Sequence, residues 1–326
     1  MHELDARLAW RLFHLNWIPI AAMGSILLLA IIIGHFSIAP AAFLTMSGIA
    51  LELALIAYIY VRLRAHAADP KLVFALGGIS QLFMIAILMG PLSYVAGATS
   101  LPLQDQTFLM IDRALGMDPG VIARFVNDRP QLVGLLETGY AFIKWFLLLT
   151  PIILAATMRL VRLQVFVGAF GIALAVTLAI SALVPAIGTF YGLDVPLSDY
   201  PALNMTFYNA QLRDLLALRE GALRRLELLE LAGIVSFPSF HAASGVLYLW
   251  ALWPVRYLGG IAAAMNVWMI IATPVIGAHY VIDVIGGVML AAISIRAASY
   301  CCDRALRGAT PGSERLPQPQ ISLQTN

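Results

Sequence analysis

Two short histidine segments carry the residues of this chain that are best suited to chemistry. Residues 237–241 read Phe-Pro-Ser-Phe-His and residues 279–283 read His-Tyr-Val-Ile-Asp, and each segment lies at the edge of an apolar stretch. His279 and Asp283 are four residues apart, so on a helix they share one face and the carboxylate can hold the imidazole in one tautomer. A histidine held in this way can act as a nucleophile or a base. Together the segments predict phosphate chemistry at a membrane surface.

The first segment predicts an anion site at the start of a helix. Pro238 restricts the approach to the helix and Ser239 is a favoured N-cap, so the free amides of Phe240, His241 and Ala242 should point outward. In the first turn, the imidazole of His241 can reach the bound anion and protonate a leaving alkoxide. A serine-capped helix with one histidine also occurs for purely structural reasons, and the sequence leaves that alternative open.

The second segment has two other interpretations. An aspartate in a spanning helix is unfavourable unless it has a partner, so Asp283 and His279 can be a buried pair that only locks two helices together. With His241 they can also be metal ligands, although no fourth ligand is evident. Glycines around the segment allow neighbouring helices to approach closely: Gly277, Gly286 and Gly287.

Composition identifies the elements that must position these residues. The chain has 326 residues, of which 61% are hydrophobic and 12% charged, and its mean hydropathy is +0.86, values typical of polytopic membrane proteins. We therefore predict an all-α membrane bundle of about eight transmembrane helices. The first run is too long for a signal peptide and should stay as an anchor. The apolar runs lie at about 17–36, 40–61, 72–96, 135–157, 164–187, 241–256, 258–276 and 281–298.

Charge predicts the orientation of the bundle. Under the positive-inside rule both termini are cytoplasmic, and the long segments 97–134 and 188–240 lie outside with both histidine motifs. In a bacterium this corresponds to the inner membrane with a periplasmic active site. The net charge of +2, without a basic block, argues against nucleic acid as a partner. The basic residues follow alternate ends of the runs: Arg7, Arg11, Arg62, Arg64, Lys71, Arg159, Arg162, Arg256, Arg304, Arg307 and Arg315.

The chain divides into three predicted parts: an N-terminal helix pair at 1–71, a membrane catalytic domain at 72–300 and a disordered cytoplasmic tail at 301–326. Within the outer segments, short interfacial helices are expected at 108–115 and 121–125. An amphipathic helix that rests on lipid headgroups is expected at 209–231. The only cysteines, Cys301 and Cys302, are adjacent, which disfavours a disulfide between them and leaves no cysteine metal site.

The two histidine motifs resemble a known family. Pro-Ser-x-His at 238–241, followed by a helix pair and by Gly-x-His-Tyr-x-x-Asp at 277–283, resembles the second and third signatures of the type 2 phosphatidic acid phosphatase superfamily. The closer likeness is to the branch that contains fungal inositol phosphorylceramide synthases, in which the second signature tends to begin with Phe. Residues 103–116, the region of Tyr140 and residues 217–221 are also similar to that branch. The resemblance covers about residues 100–295 and implies a six-helix catalytic core.

The resemblance implies a role for each matching residue. His279 would be the nucleophile that takes the phosphoryl group, Asp283 would orient and stabilise it, and His241 would be the acid for the leaving oxygen. The phosphohistidine would then pass its phosphoryl group to water or to an alcohol on a second lipid or a polyol. No metal and no cofactor is implied.

The chain departs from the family pattern at its cations. The first signature, Lys-x6-Arg-Pro, is absent, because Arg129-Pro130 has Ile122 in place of the lysine, and Thr273 replaces the arginine that commonly precedes the third-signature histidine. Arg219 and Lys144 are the remaining candidates to meet phosphate charge. Arg219 can instead anchor a headgroup, and Lys144 can pair with Glu52 or Glu137. The predicted substrate-binding residues are Ser239, Phe240, Arg219, Lys144 and Tyr140, the last as part of a pocket wall.

Three functions follow in order of preference. The first is a lipid phosphatase that hydrolyses a phosphomonoester or diphosphate at the outer face of the bilayer through a phosphohistidine. The second is a phospholipid headgroup phosphotransferase that resembles inositol phosphorylceramide synthase. The third is a non-catalytic lipid transporter or binding protein, which the missing cations favour and the complete histidine and aspartate set opposes.

Overall fold

Helices make up almost all of the regular structure in residues 3–64 and 67–307, the part of the chain that the computed structural model describes. Two-residue strands, β1 (Ser37–Ile38) and β2 (Arg225–Leu226), pair in parallel. The α-helices are α1 (Glu3–Ile33), α2 (Pro40–Arg64), α3 (Pro70–Gly97), α4 (Asp105–Ala114), α5 (Pro119–Asn127), α6 (Pro130–Tyr140), α7 (Phe142–Ala156), α8 (Leu160–Leu183), α9 (Thr189–Leu193), α10 (Thr206–Arg219), α11 (Phe240–Leu252), α12 (Leu258–Ile276) and α13 (Val281–Arg307).

The described chain has seven helical segments long and apolar enough to cross a membrane, which confirms an all-α polytopic bundle. Helices α6 and α7 together form one of the seven, Pro130–Ala156. The predicted sixth span, 241–256, is shorter than expected, because α11 has only 13 residues. At 1.5 Å per residue it covers about 20 Å, against about 30 Å for the hydrocarbon layer. The seven spans begin at Ala6, Pro40, Pro70, Pro130, Leu160, Leu258 and Val281.

Helices α3 and α8 lie at the centre of the bundle. In the most apolar window of each, 61% of the residues are buried, whereas the figures for α1 and α2 are 22% and 11%. This difference indicates that α1 and α2 pack on the outside of the bundle. The predicted domain boundary at residue 71 stays a prediction. At the other end, α13 continues to Arg307 and passes the predicted boundary at 300. The rest of the predicted tail lies outside the described residues.

The segments that connect the spans at the histidine end are folded. The short helices expected at 108–115 and 121–125 are present as α4 and α5. The expected amphipathic helix at 209–231 is wrong beyond Arg219, because Gly221 has a φ of +80° and the chain then enters β2. Its apolar face is also not free for headgroups, since Tyr208, Leu215 and Leu218 are buried within the protein.

Contacts between basic side chains and helix ends define the opposite end of the bundle. Arg11 donates to the carbonyl of Ala305 at 2.8 Å, and Arg159 donates to that of Pro254 at 2.6 Å. Arg162 donates to the carbonyl of Ala251 at 2.9 Å, near the end of α11. The antiparallel helices therefore place these arginines at one end of the bundle and the first turns of α11 and α13 at the other.

Candidate active site

His279 and Asp283 form a buried pair. The Nδ1 atom of His279 lies 3.2 Å from Oδ2 of Asp283, and the side chains are 6% and 0% exposed. A carboxylate can only accept a hydrogen bond, so with Asp283 ionised the proton of the imidazole stands on Nδ1. The lone pair of Nε2 is then available for attack on an electrophile.

The Oδ2 atom of Asp283 has two further donors. The hydroxyl of Ser236 donates to it at 2.8 Å, and the backbone N–H of Tyr280 donates at 3.0 Å. These bonds help to hold the carboxylate against His279. Ser236 directly precedes the segment 237–241, and nothing in its sequence context marked it as part of the site.

The two histidine motifs are joined directly through their backbones. The N–H of Ser239, the N-cap of α11, donates to the carbonyl of Asp283 at 2.9 Å. Helix α13 comes this close because it has no side chain at the contact: a Cβ on Gly287 would lie 2.2 Å from the carbonyl oxygen of Ser239. A Cβ on Gly286 would lie 3.0 Å from the ring of Phe237. Glycine at these positions therefore brings the first turns of α11 and α13 together.

The N-terminus of α11 has the form that the sequence predicts. The Oγ atom of Ser239 accepts from the N–H of Ala242 at 3.4 Å. The N–H groups of Phe240 and His241 belong to the first turn, where a helix offers no internal acceptor, so they can receive an anion. The side chain of Phe240 turns away and packs on Phe170, with ring centroids 5.2 Å apart. The side chain of Phe240 is therefore part of the packing of the bundle.

The ring of His241 stacks on Tyr140. The ring centroids are 3.9 Å apart and the planes differ by 11°. Tyr140 is the last residue of α6, where the span bends before α7 begins at Phe142. The break in the helix thus places the tyrosine ring against the first turn of α11.

The three rings of Tyr140, His241 and His279 converge beside Gly277. A Cβ on Gly277 would lie 2.8 Å from Cδ2 of His279 and 2.9 Å from the hydroxyl of Tyr140. Because Tyr140 also stacks on His241, the two histidines lie in one neighbourhood at this end of the bundle.

Two aspartates of α4 hold the segment around His279 from the other side. Asp112 accepts from the N–H of Val281 at 2.7 Å and from that of Ile282 at 2.9 Å. Asp105 accepts from the hydroxyl of Tyr280 at 3.1 Å. Burial raises the pKa of both carboxyl groups above the usual range, although backbone N–H donors oppose the shift. Neither residue was predicted to belong to the site; two aspartates seven residues apart in an outer helix were the available signal.

The candidate cations are placed differently from each other. Lys144 is an exposed residue of α7 and forms no salt bridge with Glu52 or Glu137. It follows Tyr140, the residue that stacks on His241, by four positions. Arg219 donates to the carbonyls of Thr99 and Leu101, both at 2.8 Å. Its observed contacts therefore brace a loop.

Arg129 and Thr273, which stand at positions where the family pattern has its usual cations, bond to residues of their own segments. Arg129 donates to the carbonyl of Phe125 at 2.8 Å and lies 3.9 Å over its ring. Thr273 is buried, and its hydroxyl donates to the carbonyl of Met269 at 2.9 Å. Neither contact involves the histidines.

A small cavity lies beside His279. The cavity that His279 and Asp112 share has a volume of about 10 Å³, room for about one water molecule. A phosphate group does not fit in this cavity as it stands. Among the described residues, no group of three or more His, Cys, Asp or Glu side chains is arranged to hold a metal ion.

Fold and site together define an integral membrane protein whose buried histidine–aspartate pair faces a second histidine at one end of a helical bundle. A family model described as the PAP2 superfamily matches residues 106–297, more than half of the chain. The protein therefore belongs to the PAP2 superfamily, and this membership together with the membrane helices supports a membrane enzyme of the phosphatase or phosphotransferase type. No curated protein and no solved structure matched the chain.

Proposed function

We propose that the protein is a membrane lipid phosphatase that hydrolyses a phosphomonoester or diphosphate through a phosphohistidine on His279. The observation that carries the proposal is the bond between Nδ1 of His279 and Oδ2 of Asp283, because it leaves Nε2 as the nucleophile. Both histidine motifs lie within residues 106–297, the region that the family model matches.

The reaction has two steps. In the first, the lone pair of His279 Nε2 forms a bond to phosphorus while the bond to the lipid oxygen breaks, and His241 gives its proton to that oxygen. In the second, a water molecule attacks the phosphohistidine, gives a proton to His241, and the P–N bond breaks to release phosphate and restore His279. The open N–H groups of Phe240 and His241, with Lys144 nearby, are the groups that support phosphate binding.

Phosphotransfer to a lipid or polyol alcohol is the second candidate. The observation in its favour is burial: His279 is only 6% exposed beneath the folded outer segments. A covered site limits the access of water, and an alcohol can then take the place of water in the second step.

Phosphate release from short-chain phosphatidic acid in detergent tests the proposal. We expect release in wild type with EDTA present and at least 100-fold less in His279→Ala. His35→Asn is the matched control, since His35 lies in an exposed loop with a φ of 53°, a conformation that asparagine tolerates. Equal phosphate release by wild type and His279→Ala would reject the proposal that the protein is an enzyme. Product that forms only when a ceramide or diacylglycerol acceptor is added would show that the reaction is transfer and not hydrolysis.

The proposal places the site on the outer, periplasmic side, with both termini in the cytoplasm. One observation supports this orientation: the arginines Arg11, Arg159 and Arg162 lie at the opposite end of the bundle, which the positive-inside rule assigns to the cytoplasm. A maleimide that does not cross membranes should label Met117→Cys, an exposed position after α4, in intact cells. Labelling only after the cells are opened would indicate the opposite orientation, with the site in the cytoplasm.

A further inference from the structure

Helix α13 begins without a capping side chain of its own. Its first helical residues are Val281, Ile282 and Asp283, so the N-cap is Tyr280, whose side chain cannot accept from the following N–H groups. Asp283 fills only half of the usual arrangement, since its carboxylate reaches back to the N–H of Tyr280 at 3.0 Å. The N–H groups of Val281 and Ile282 still need an acceptor.

We propose that Asp112 is a positioning residue for the His279–Asp283 pair, because it supplies the missing cap of α13 from an outer helix. Its two carboxylate oxygens accept from the N–H groups of Val281 and Ile282 at 2.7 and 2.9 Å. Asp112 is fully buried and lies 169 residues upstream of Val281 in the chain. The inference rests on the proposed function, since a positioning role requires a reaction at His279.

The cap matters for chemistry because Oδ1 of Asp283 has no hydrogen-bond partner among the described residues. Without Asp112, the N–H groups of Val281 and Ile282 would be open to that oxygen, and a bond there would draw the carboxylate of Asp283 away from His279. With Asp112 in place, Oδ2 of Asp283 remains on Nδ1 of His279. The occupied N–H groups of Val281 and Ile282 also cannot bind phosphate, which leaves the first turn of α11 as the anion site.

Asp105 is a second carboxylate of α4 that holds the same turn. It is seven residues before Asp112, so both carboxylates lie on one face of α4. Asp105 accepts from the hydroxyl of Tyr280 and, at 2.8 Å, from the N–H of Gly188. The N–H of Thr189 donates to the carbonyl of Ala278 at 2.9 Å. The turn that carries His279 is therefore held on both sides by outer segments.

The test compares Asp112→Ala and Asp112→Asn with Asp118→Ala. Asp118 is the matched control because it caps α5 in the same outer segment, accepting from Gly120 at 2.8 Å and from Val121 at 3.3 Å, without touching the His279 turn. We expect Asp112→Ala to lower kcat roughly 10- to 100-fold with KM within about threefold, as small displacements of reacting groups do. Asp112→Asn, which keeps one acceptor oxygen and the side-chain volume, should fall between wild type and Asp112→Ala.

A second measurement does not depend on activity. Amide hydrogen exchange, followed by mass spectrometry on a peptide that covers residues 279–284, should be faster in Asp112→Ala than in wild type and unchanged in Asp118→Ala. Wild-type exchange in Asp112→Ala, or faster exchange with wild-type kcat, would overturn the inference. Equal phosphate release by wild type and His279→Ala is a distinct result: it would overturn the proposed function and, with it, any positioning role of Asp112 in catalysis.

Discussion

The imidazole of His241 lies flat on the phenol ring of Tyr140, with 3.9 Å between ring centroids. The two residues come from different helices and are about one hundred positions apart in the chain. Tyr140 closes α6, and its neighbour Ala141 separates α6 from α7. Stacking fixes the plane of the histidine ring, so the orientation of His241 depends on where another helix, α6, ends.

Replacing Tyr140 should therefore affect catalysis according to whether the ring is kept. Tyr140→Phe preserves the stacking surface and should retain most of the activity. Tyr140→Leu removes the aromatic contact, worth about 0.5–1.5 kcal/mol, and should reduce kcat roughly 3- to 10-fold. Initial rates of phosphate release at saturating substrate measure the difference. If the leucine variant equals the phenylalanine variant, the stack does not orient His241.

Asp283→Asn should be the most damaging conservative change after the loss of His279 itself. An amide can present its N–H to Nδ1 of His279 and favour the wrong tautomer, so we expect kcat to fall about 10²- to 10⁴-fold, as in other histidine–aspartate pairs. Ser236→Ala removes only one donor to Asp283 and should cost a few-fold. A single-turnover assay of phosphoenzyme formation measures the first step directly. Activity above a tenth of wild type in Asp283→Asn would contradict the assignment.

Gly277→Ala should disturb the site without adding charge or polarity. The new methyl group would lie 2.8 Å from His279 and 2.9 Å from Tyr140, closer than carbon atoms approach other groups. We expect lower activity and a lower Tm. Gly260→Ala in α12, the helix that ends just before Gly277, is the control, because no atom lies within 4 Å of the Cβ position of Gly260. There the change should be neutral or stabilising by up to about 1 kcal/mol. Equal activity and equal Tm of the two variants would show that the site is not crowded at Gly277.

The pH dependence of stability should report the burial of Asp105. Burial raises its pKa, so the folded chain holds the proton more tightly than the unfolded chain does. The stability that this proton provides is fully present below the unfolded pKa and is lost as pH rises through the folded pKa. Asp105→Asn does not titrate, so its Tm in detergent should fall less than that of wild type as pH rises from about 4. Parallel curves for the two proteins would contradict this.

Much of the site was predictable because its chemistry is local in sequence. The four-residue spacing of His279 and Asp283 predicts that they pair, and the pair is found at 3.2 Å. The helical reason was wrong, because His279 lies two residues before α13 begins at Val281 and the contact crosses the start of the helix. Ser239 caps α11 as its residue type predicts. The all-α membrane class follows from composition, since runs of about twenty apolar residues have few alternatives to a spanning helix.

Other features depended on where distant segments meet. The sequence did not show that α11 is too short to be an ordinary span or that α10 ends at Arg219, since both boundaries depend on neighbouring packing and on the strand pair. It could not reveal that Arg219 binds the carbonyls of Thr99 and Leu101. Likewise, nothing in a sequence window connects Asp112 to Val281.

The sequence by itself therefore determined the membrane class, the two histidine motifs and the pairing of His279 with Asp283, because each is encoded within a few consecutive residues or one apolar run. Only the tertiary structure decided how these parts are oriented: the stack of Tyr140 on His241, the bond from Ser236 to Asp283 and the cap that Asp112 supplies to α13. Each of these contacts joins separate elements, and its geometry is set by the packing of whole helices, which no local pattern of residues encodes.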